Sequence, residues 1–336
     1  MTSGGRAKRV LKSKEMLLVY ITIVIILIFF FINNNFLSVS SLRGIMQSMA
    51  LMGIIAVGTA CLLIGGGIDL TANFMCLFAG VICAMMIKGG VPWFAALVIS
   101  VAIGAVIGAI NAFLVSKLHM MPFIATIGVG SVMAGVTQAA TNLQNVDVPM
   151  ASFWWGSNSL FNVFPIPFII MAILLILYGL MLSKTQFGRN IYLVGGNELA
   201  ARLAGVNPSK TRTILYINSG ALSALAGVVL ASRMHTASPQ SQSDPLMSAI
   251  TAAIIGGVAF TGGAGGMLGC FIGLILLNFF NAGLSSLALD SYWTITASGL
   301  LLIIALAVDF LNERSRLKAL MMKVKPTLVL GTEDGI

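Results

Sequence analysis

The chain has 336 residues, of which 58% are hydrophobic and 9% charged, with a mean hydropathy of +1.00 and a net charge of +9. A soluble domain carries about 25% charged residues, and a water-soluble fold of this length could not hide so much apolar surface. The basic residues cluster beside apolar segments, with no basic stripe interleaved with aromatics, so the charge reads as membrane topology rather than nucleic-acid binding.

The composition predicts an all-α, polytopic membrane bundle. About twenty apolar residues cross a bilayer as a helix, and hydropathy predicts about ten such spans, at roughly 16–33, 44–65, 71–87, 92–116, 122–141, 165–183, 212–232, 247–260, 267–284 and 292–310. The first follows Arg6, Lys8, Arg9, Lys12 and Lys14 and superficially resembles a signal peptide. It is too long for a typical signal core and runs into Asn33-Asn34-Asn35-Phe36 rather than a small-residue cleavage site, so it reads as a retained span. The eighth is short enough to be broken or re-entrant. The expected organisation is a basic cytoplasmic tail at 1–15, one transmembrane domain at 16–310 that includes a polar loop at 184–212, and a cytoplasmic tail at 311–336.

With the amino terminus inside, the N-tail, Lys117, the 184–212 loop and the C-tail hold 16 of the 19 Lys and Arg residues. Only Arg43, Lys88 and Arg233 fall elsewhere. The positive-inside rule thus predicts an even number of spans and two cytoplasmic termini. Five spans on each side of the external Thr141–Phe164 connection would give the halves opposite orientations, as in an internal inverted repeat. Trp93, Trp154, Trp155 and Trp293 fall where an outer aromatic belt is expected. His119 and His235 lie near segment ends, as interfacial residues do. Cys61, Cys76, Cys83 and Cys270 lie in apolar runs without paired spacing, the pattern of reduced core side chains rather than of a disulfide or metal site.

Small residues predict close helix crossings at Gly104-x-x-x-Gly108, at Gly220 with Ala224 and at Gly269-x-x-x-Gly273. Gly256-Gly257 and Gly262-Gly263 fit either packing or a broken-helix gate. Asp69, in Gly65-Gly66-Gly67-Ile68-Asp69-Leu70-Thr71-Ala72-Asn73, has two readings: a cap of the third span with Thr71, or a part of a pathway or gate with Thr71 and Asn73. The other aspartates lie in loops, tails or a span end, and no histidine or metal-ligand set is predicted at depth. That excludes an intramembrane aspartyl protease and a serine or metal hydrolase, so no catalytic or metal residue is assigned. An ion-coupled secondary transporter is the alternative to a powered importer, but its bundle would carry more titratable groups than Asp69. The chain contains no Gly-Lys dipeptide and hence no Walker loop, so no cofactor is assigned to it and ATP would be bound by a separate subunit.

The 184–212 loop is the polar exception in an apolar chain. Gly195-Gly196 reads as a flexible turn, Asn197 as an N-cap, Glu198 as a first-turn acid and Leu199–Ala204 as good helix formers ended by Gly205 and Pro208. Two turns of helix do not stand alone in water. Leu199 and Leu203, spaced i, i+4, therefore need a surface: the chain's own bundle, or a cleft in a cytoplasmic ATPase, which explains the loop's polarity better.

The run Phe187-Gly188-Arg189-Asn190-Ile191-Tyr192-Leu193-Val194-Gly195-Gly196-Asn197-Glu198-Leu199-Ala200-Ala201-Arg202-Leu203-Ala204-Gly205-Val206 resembles the cytoplasmic motif of ribose/galactose/xylose-type ABC importer permeases. Gly66-Gly67-Ile68-Asp69-Leu70 resembles that family's Gly-Gly-Ile-Asp-Leu-Ser motif, and Pro122–Gly128 its Pro-Phe-Ile-x-Thr-Leu-Gly segment. Ile255–Val258 with Gly262–Gly265 is similar to its paired-glycine segment. The matches come in the family's order over roughly residues 36 to 312. The resemblance implies a permease dimer or paralogue pair, a cytoplasmic ABC ATPase that binds ATP-Mg, and an extracytoplasmic sugar-binding protein. It implies ATPase coupling by Gly188, Arg189, Gly195, Gly196, Asn197, Glu198, Ala200, Ala201, Arg202 and Gly205. Where the family continues Ser-Val-Gly-Ser after Asp-Leu, this chain has Thr71-Ala72-Asn73-Phe74, a bulkier and more polar sequence near the presumed path.

Overall fold

The computed structural model describes residues 14–149, 154–240 and 245–287, with scattered positions between 292 and 307. Residues 1–13, about half of the tenth predicted span and the C-tail lie outside the described residues. In chain order the helices are α1 (Lys14–Ile32), α2 (Val39–Ile64), α3 (Ala72–Lys88), α4 (Trp93–Ala112), α5 (Pro122–Thr141), α6 (Trp154–Ser157), α7 (Ile166–Lys184), α8 (Gln186–Gly196), α9 (Glu198–Leu203), α10 (Pro208–Met234), α11 (Pro245–Ile255) and α12 (Met267–Ser286). A π-helical segment, Phe113–Lys117, extends α4. Among the described residues six helices are long and apolar enough to cross a membrane: α2, α4 with its extension, α5, α7, α10 and α12. Three apolar helices are shorter. Of these, α11 has 11 residues and spans about 16 Å, half of a bilayer's hydrocarbon thickness.

Two helices form the centre. The most apolar windows of α2 and α10 are 78% and 67% buried, against 28%, 28% and 22% for α4, α5 and α7. The outer helices turn large side chains such as Phe94, Val106, Phe123, Val132 and Ile176 outward, as a lipid-facing surface requires. Small residues let α4 pack on α10. A Cβ on Gly104 would lie 2.5 Å from Ala224 Cβ, and one on Gly108 would lie 2.9 Å from Ile217 Cα, so any side chain there would push the backbones apart.

The connections sort to two ends. At one, short strands β1 (Val146–Asp147) and β4 (Thr236–Ala237) pair antiparallel, with Val146 opposite Ala237. Nearby β2 (Ser159–Leu160) pairs with β3 (Phe164–Pro165). These two-residue strands are too short to leave a period-two signal, and the sequence does not predict them. At the other end, the turn after α2, the α8–α9 junction and the turn after α11 meet. Gly263 donates its N–H to the Ile64 carbonyl at 2.8 Å, and Tyr192 donates its hydroxyl to the Gly265 carbonyl at 2.8 Å.

One aromatic departs from the expected belt. Trp155 is buried, its ring centroid 6.3 Å from that of Trp93, because α6 lies on α10 rather than at the surface. Trp154 and Trp293 are exposed. The four cysteines are free and buried.

Candidate pathway and coupling sites

Asp69 lies in the turn between α2 and α3. Gly66, at φ +73°, reverses the chain, and Asp69 follows with only 1% of its surface exposed. Its Oδ1 accepts the Thr71 N–H at 2.9 Å, the Thr71 hydroxyl, and the Asn111 amide of α4 at 3.5 Å. Its Oδ2 accepts the Ser219 hydroxyl of α10 at 2.8 Å. Asn111 also donates to Thr71 Oγ1 at 3.0 Å, and Tyr216 of α10 donates to the Ile68 carbonyl at 2.9 Å. The N-cap residue of α3 is Thr71, whose side chain makes no capping bond because its hydroxyl faces Asp69. The carboxylate therefore tightens the turn ahead of α3 and ties it to α4 and α10. A buried charge held by several donors is far less costly than an isolated one.

A cavity of about 1040 Å³ lies between α2, α3, α10, α11 and α12, in the half nearer the β1–β4 ladder. Ser48, Asn73, Thr251, Asn278 and Asn281 supply polar lining, and Arg233 is its only charged side chain among the described residues. Asp69 and Thr71 do not line it. Asn73 does, and its Oδ1 is enclosed without a hydrogen-bond partner among the described residues. Phe74 instead packs on α5, where a Cβ on Gly130 would lie 2.9 Å from its Cε2 and still closer to its Cδ2. Of the two bulky departures in this stretch, only Asn73 reaches the cavity. Gly256 packs on α12, where a Cβ would lie 2.7 Å from the Cys270 nitrogen, and Gly257 turns the chain at φ +89°.

The polar loop is mostly helical. Thr185 caps α8, its Oγ1 accepting the Gly188 N–H at 3.0 Å, and Ile191 and Val194 are buried. This helix was not expected from the sequence, although the i, i+4, i+7 spacing of Phe187, Ile191 and Val194 carries its signal. Gly195 and Gly196 form its last turn rather than a flexible one. A Cβ on Gly195 would lie 2.7 Å from the Gly263 nitrogen and still closer to the Ile64 carbonyl, so three backbones converge there.

In α9 the Asn197 side chain accepts the Ala200 N–H at 3.0 Å, and Gly205, at φ +79°, ends the helix. Ala201 is buried, whereas Leu199 and Leu203 are 71% and 86% exposed. The leucines therefore do not dock on this chain's own described bundle. Glu198 bridges Arg202 and, on α10, Arg212, each at 2.8 Å. The hydrogen bond from Arg202 and the charge of Arg212 hold its carboxyl below the usual glutamate range. Pro208 starts α10 under an Asn207 cap, the asymmetry expected of a proline at a first helical position. Val115, Ser116 and His119 face Glu198, Arg202 and Arg212 across a small groove, so the connection after α4 joins this end too.

Residues 41–306 match the family described as branched-chain amino acid transport system / permease component. The ribose import permease protein of Escherichia coli K12 is 33% identical over 280 residues, covering 82% of this chain and 87% of the relative. The galactose/methyl galactoside import permease protein of Haemophilus influenzae is 30% identical, covering 89% of this chain and 95% of the relative. The fructose import permease protein of Rhizobium meliloti is 30% identical, covering 82% and 79%. No solved structure matches the chain. The chain belongs to this permease family, on its ribose/galactose-type ABC importer side, and is a multi-pass inner-membrane transport component rather than an enzyme.

Proposed function

We propose that the chain passes a sugar or sugar-like solute, delivered by an extracytoplasmic binding protein, through the cavity beside α2, α3, α10, α11 and α12. A cytoplasmic ABC ATPase that binds ATP-Mg grips α9. The observation that carries this reading is α9 itself: a capped two-turn helix with Leu199 and Leu203 both bare, fixed to α10 by Glu198 and Arg212. Ten spans, two cytoplasmic termini and pairing with a second permease copy or paralogue complete the arrangement. The clustering of the basic connections at the α9 end supports the orientation.

In this reading Gly188, Arg189, Gly195, Gly196, Asn197, Ala200, Ala201, Arg202 and Gly205 shape or present the ATPase contact, while Asn73 belongs to the path. Asp69 and Thr71 hold the turn that separates the two. Gly256 and Gly257 join α11 to the junction near Gly195, so a shift of the ATPase contact reaches a wall of the cavity. Substituting Ala201→Pro in the assembled complex breaks the helix, which costs about 3 kcal/mol, and abolishes ATP-driven uptake while leaving membrane insertion intact. Unimpaired ATP-driven uptake would refute the coupling role. Retention of radiolabelled ribose, galactose or fructose by the cognate binding protein identifies the solute.

A further inference from the structure

Arg233 lines the cavity near the C-terminal end of α10 and has no hydrogen-bond or ion-pair partner among the described residues. The rest of the described lining is neutral: hydroxyls, amides and apolar groups. A cation near a helix C-terminus complements the helix dipole, but a solvent-facing position serves that purpose as well. Placing an arginine in the wall of a largely apolar membrane cavity carries a desolvation cost, and such residues mark solute paths by default. The guanidinium offers five N–H donors and no acceptor. It binds oxygen lone pairs, favours carboxylate or phosphate, and repels ammonium groups.

We infer that Arg233 is a specificity-determining residue of the permease. It makes the cavity a vestibule for oxygen-rich, neutral or anionic solutes, such as sugars and sugar acids, and a barrier to cationic ones, such as amino sugars. Asn73, four residues after Asp69, also lines the cavity, with an enclosed acceptor that lacks a hydrogen-bond partner among the described residues. A solute hydroxyl can donate to that acceptor once the neighbouring side chains shift. This inference rests on the proposed solute path and adds a charge filter to it.

The test uses the assembled importer complex in lipid vesicles, with Cys76→Ser in this chain to remove the native cavity thiol and Ser48→Cys as a reporter. The rates of modification by anionic sulfonatoethyl and cationic trimethylammonioethyl methanethiosulfonate are compared, each normalised to a free thiol in solution. A guanidinium with no ion-pair partner among the described residues, in the wall of a partly open cavity, predicts an anionic preference of about tenfold. That preference is expected to persist in Arg233→Lys and to vanish in Arg233→Gln. A role confined to helix packing or the dipole would not move the ratio. Absence of the preference with Arg233 in place overturns the inference even if Arg233→Gln fails to fold, and so does a preference that Arg233→Gln leaves unchanged. ATP-driven uptake before and after labelling reads the path separately. Full transport by labelled vesicles would remove the cavity from the path, whereas blocked transport without anionic preference would overturn the Arg233 assignment alone.

Discussion

Replacing Asp69 distinguishes a structural tie from a group that handles the solute. Its carboxylate accepts from the Thr71 N–H and hydroxyl, the Asn111 amide and the Ser219 hydroxyl. In Asp69→Ala the Asn111 amide still donates to Thr71 Oγ1, while the buried Thr71 N–H, Thr71 hydroxyl and Ser219 hydroxyl lose their acceptor. At about 1–3 kcal/mol for each of the three orphaned buried donors, the loss is about 3–9 kcal/mol. Asp69→Asn keeps an oxygen for Thr71 and Asn111, and its amide can donate to a rotated Ser219 hydroxyl. What it loses is charge assistance, about 1–2 kcal/mol. Thermal denaturation of the purified complex should therefore rank wild type above Asp69→Asn and Asp69→Ala lowest, with transport per folded complex largely preserved in Asp69→Asn. Undiminished stability of Asp69→Ala would refute the tie, as would a fully assembled but transport-dead Asp69→Asn.

The glycine pair at the end of α8 gives a contrast within two residues. Gly195→Ala drives a methyl into the Ile64 and Gly263 backbones and should destabilise the complex by about 1–3 kcal/mol. Gly196→Ala meets nothing closer than 3.9 Å and should melt like wild type; equal melting of both variants would remove the junction from the account. Glu198 carries a pH signature. Because folding lowers its carboxyl below the ordinary range, its contribution is present above that range and lost as pH falls through the folded value. At 38% exposure the pair with Arg212 is screened, so Glu198→Gln should lower stability by about 0.2–1 kcal/mol at neutral pH. That difference from wild type should fade in acid, and a penalty unchanged at low pH would contradict the ion pair.

How far the sequence could be read depended on how local each signal was. Spans were legible because crossing a bilayer demands a long apolar run, and the Asn197–Gly205 helix because both of its ends are set by neighbouring residues. The partners of Asp69 were not. Asn111 and Ser219 lie 42 and 150 residues away, single polar side chains in apolar helices that only packing brings together. Gly195-Gly196 was misread because a glycine required by close backbone approach looks, in one sequence, like a glycine required by a turn. Arg233 stood out as an exception to the positive-inside count, but its place in a cavity wall is a tertiary fact.

The most direct test of the central claim, that this permease is driven through α9, is ATP-driven uptake into vesicles holding the complex with Leu199→Ser and Leu203→Ser combined. Both side chains are largely exposed, so the substituted chain should fold, insert and melt as wild type does. The account predicts that it loses the ATPase on purification and loses ATP-driven uptake. Wild-type uptake with a normally bound ATPase would contradict it.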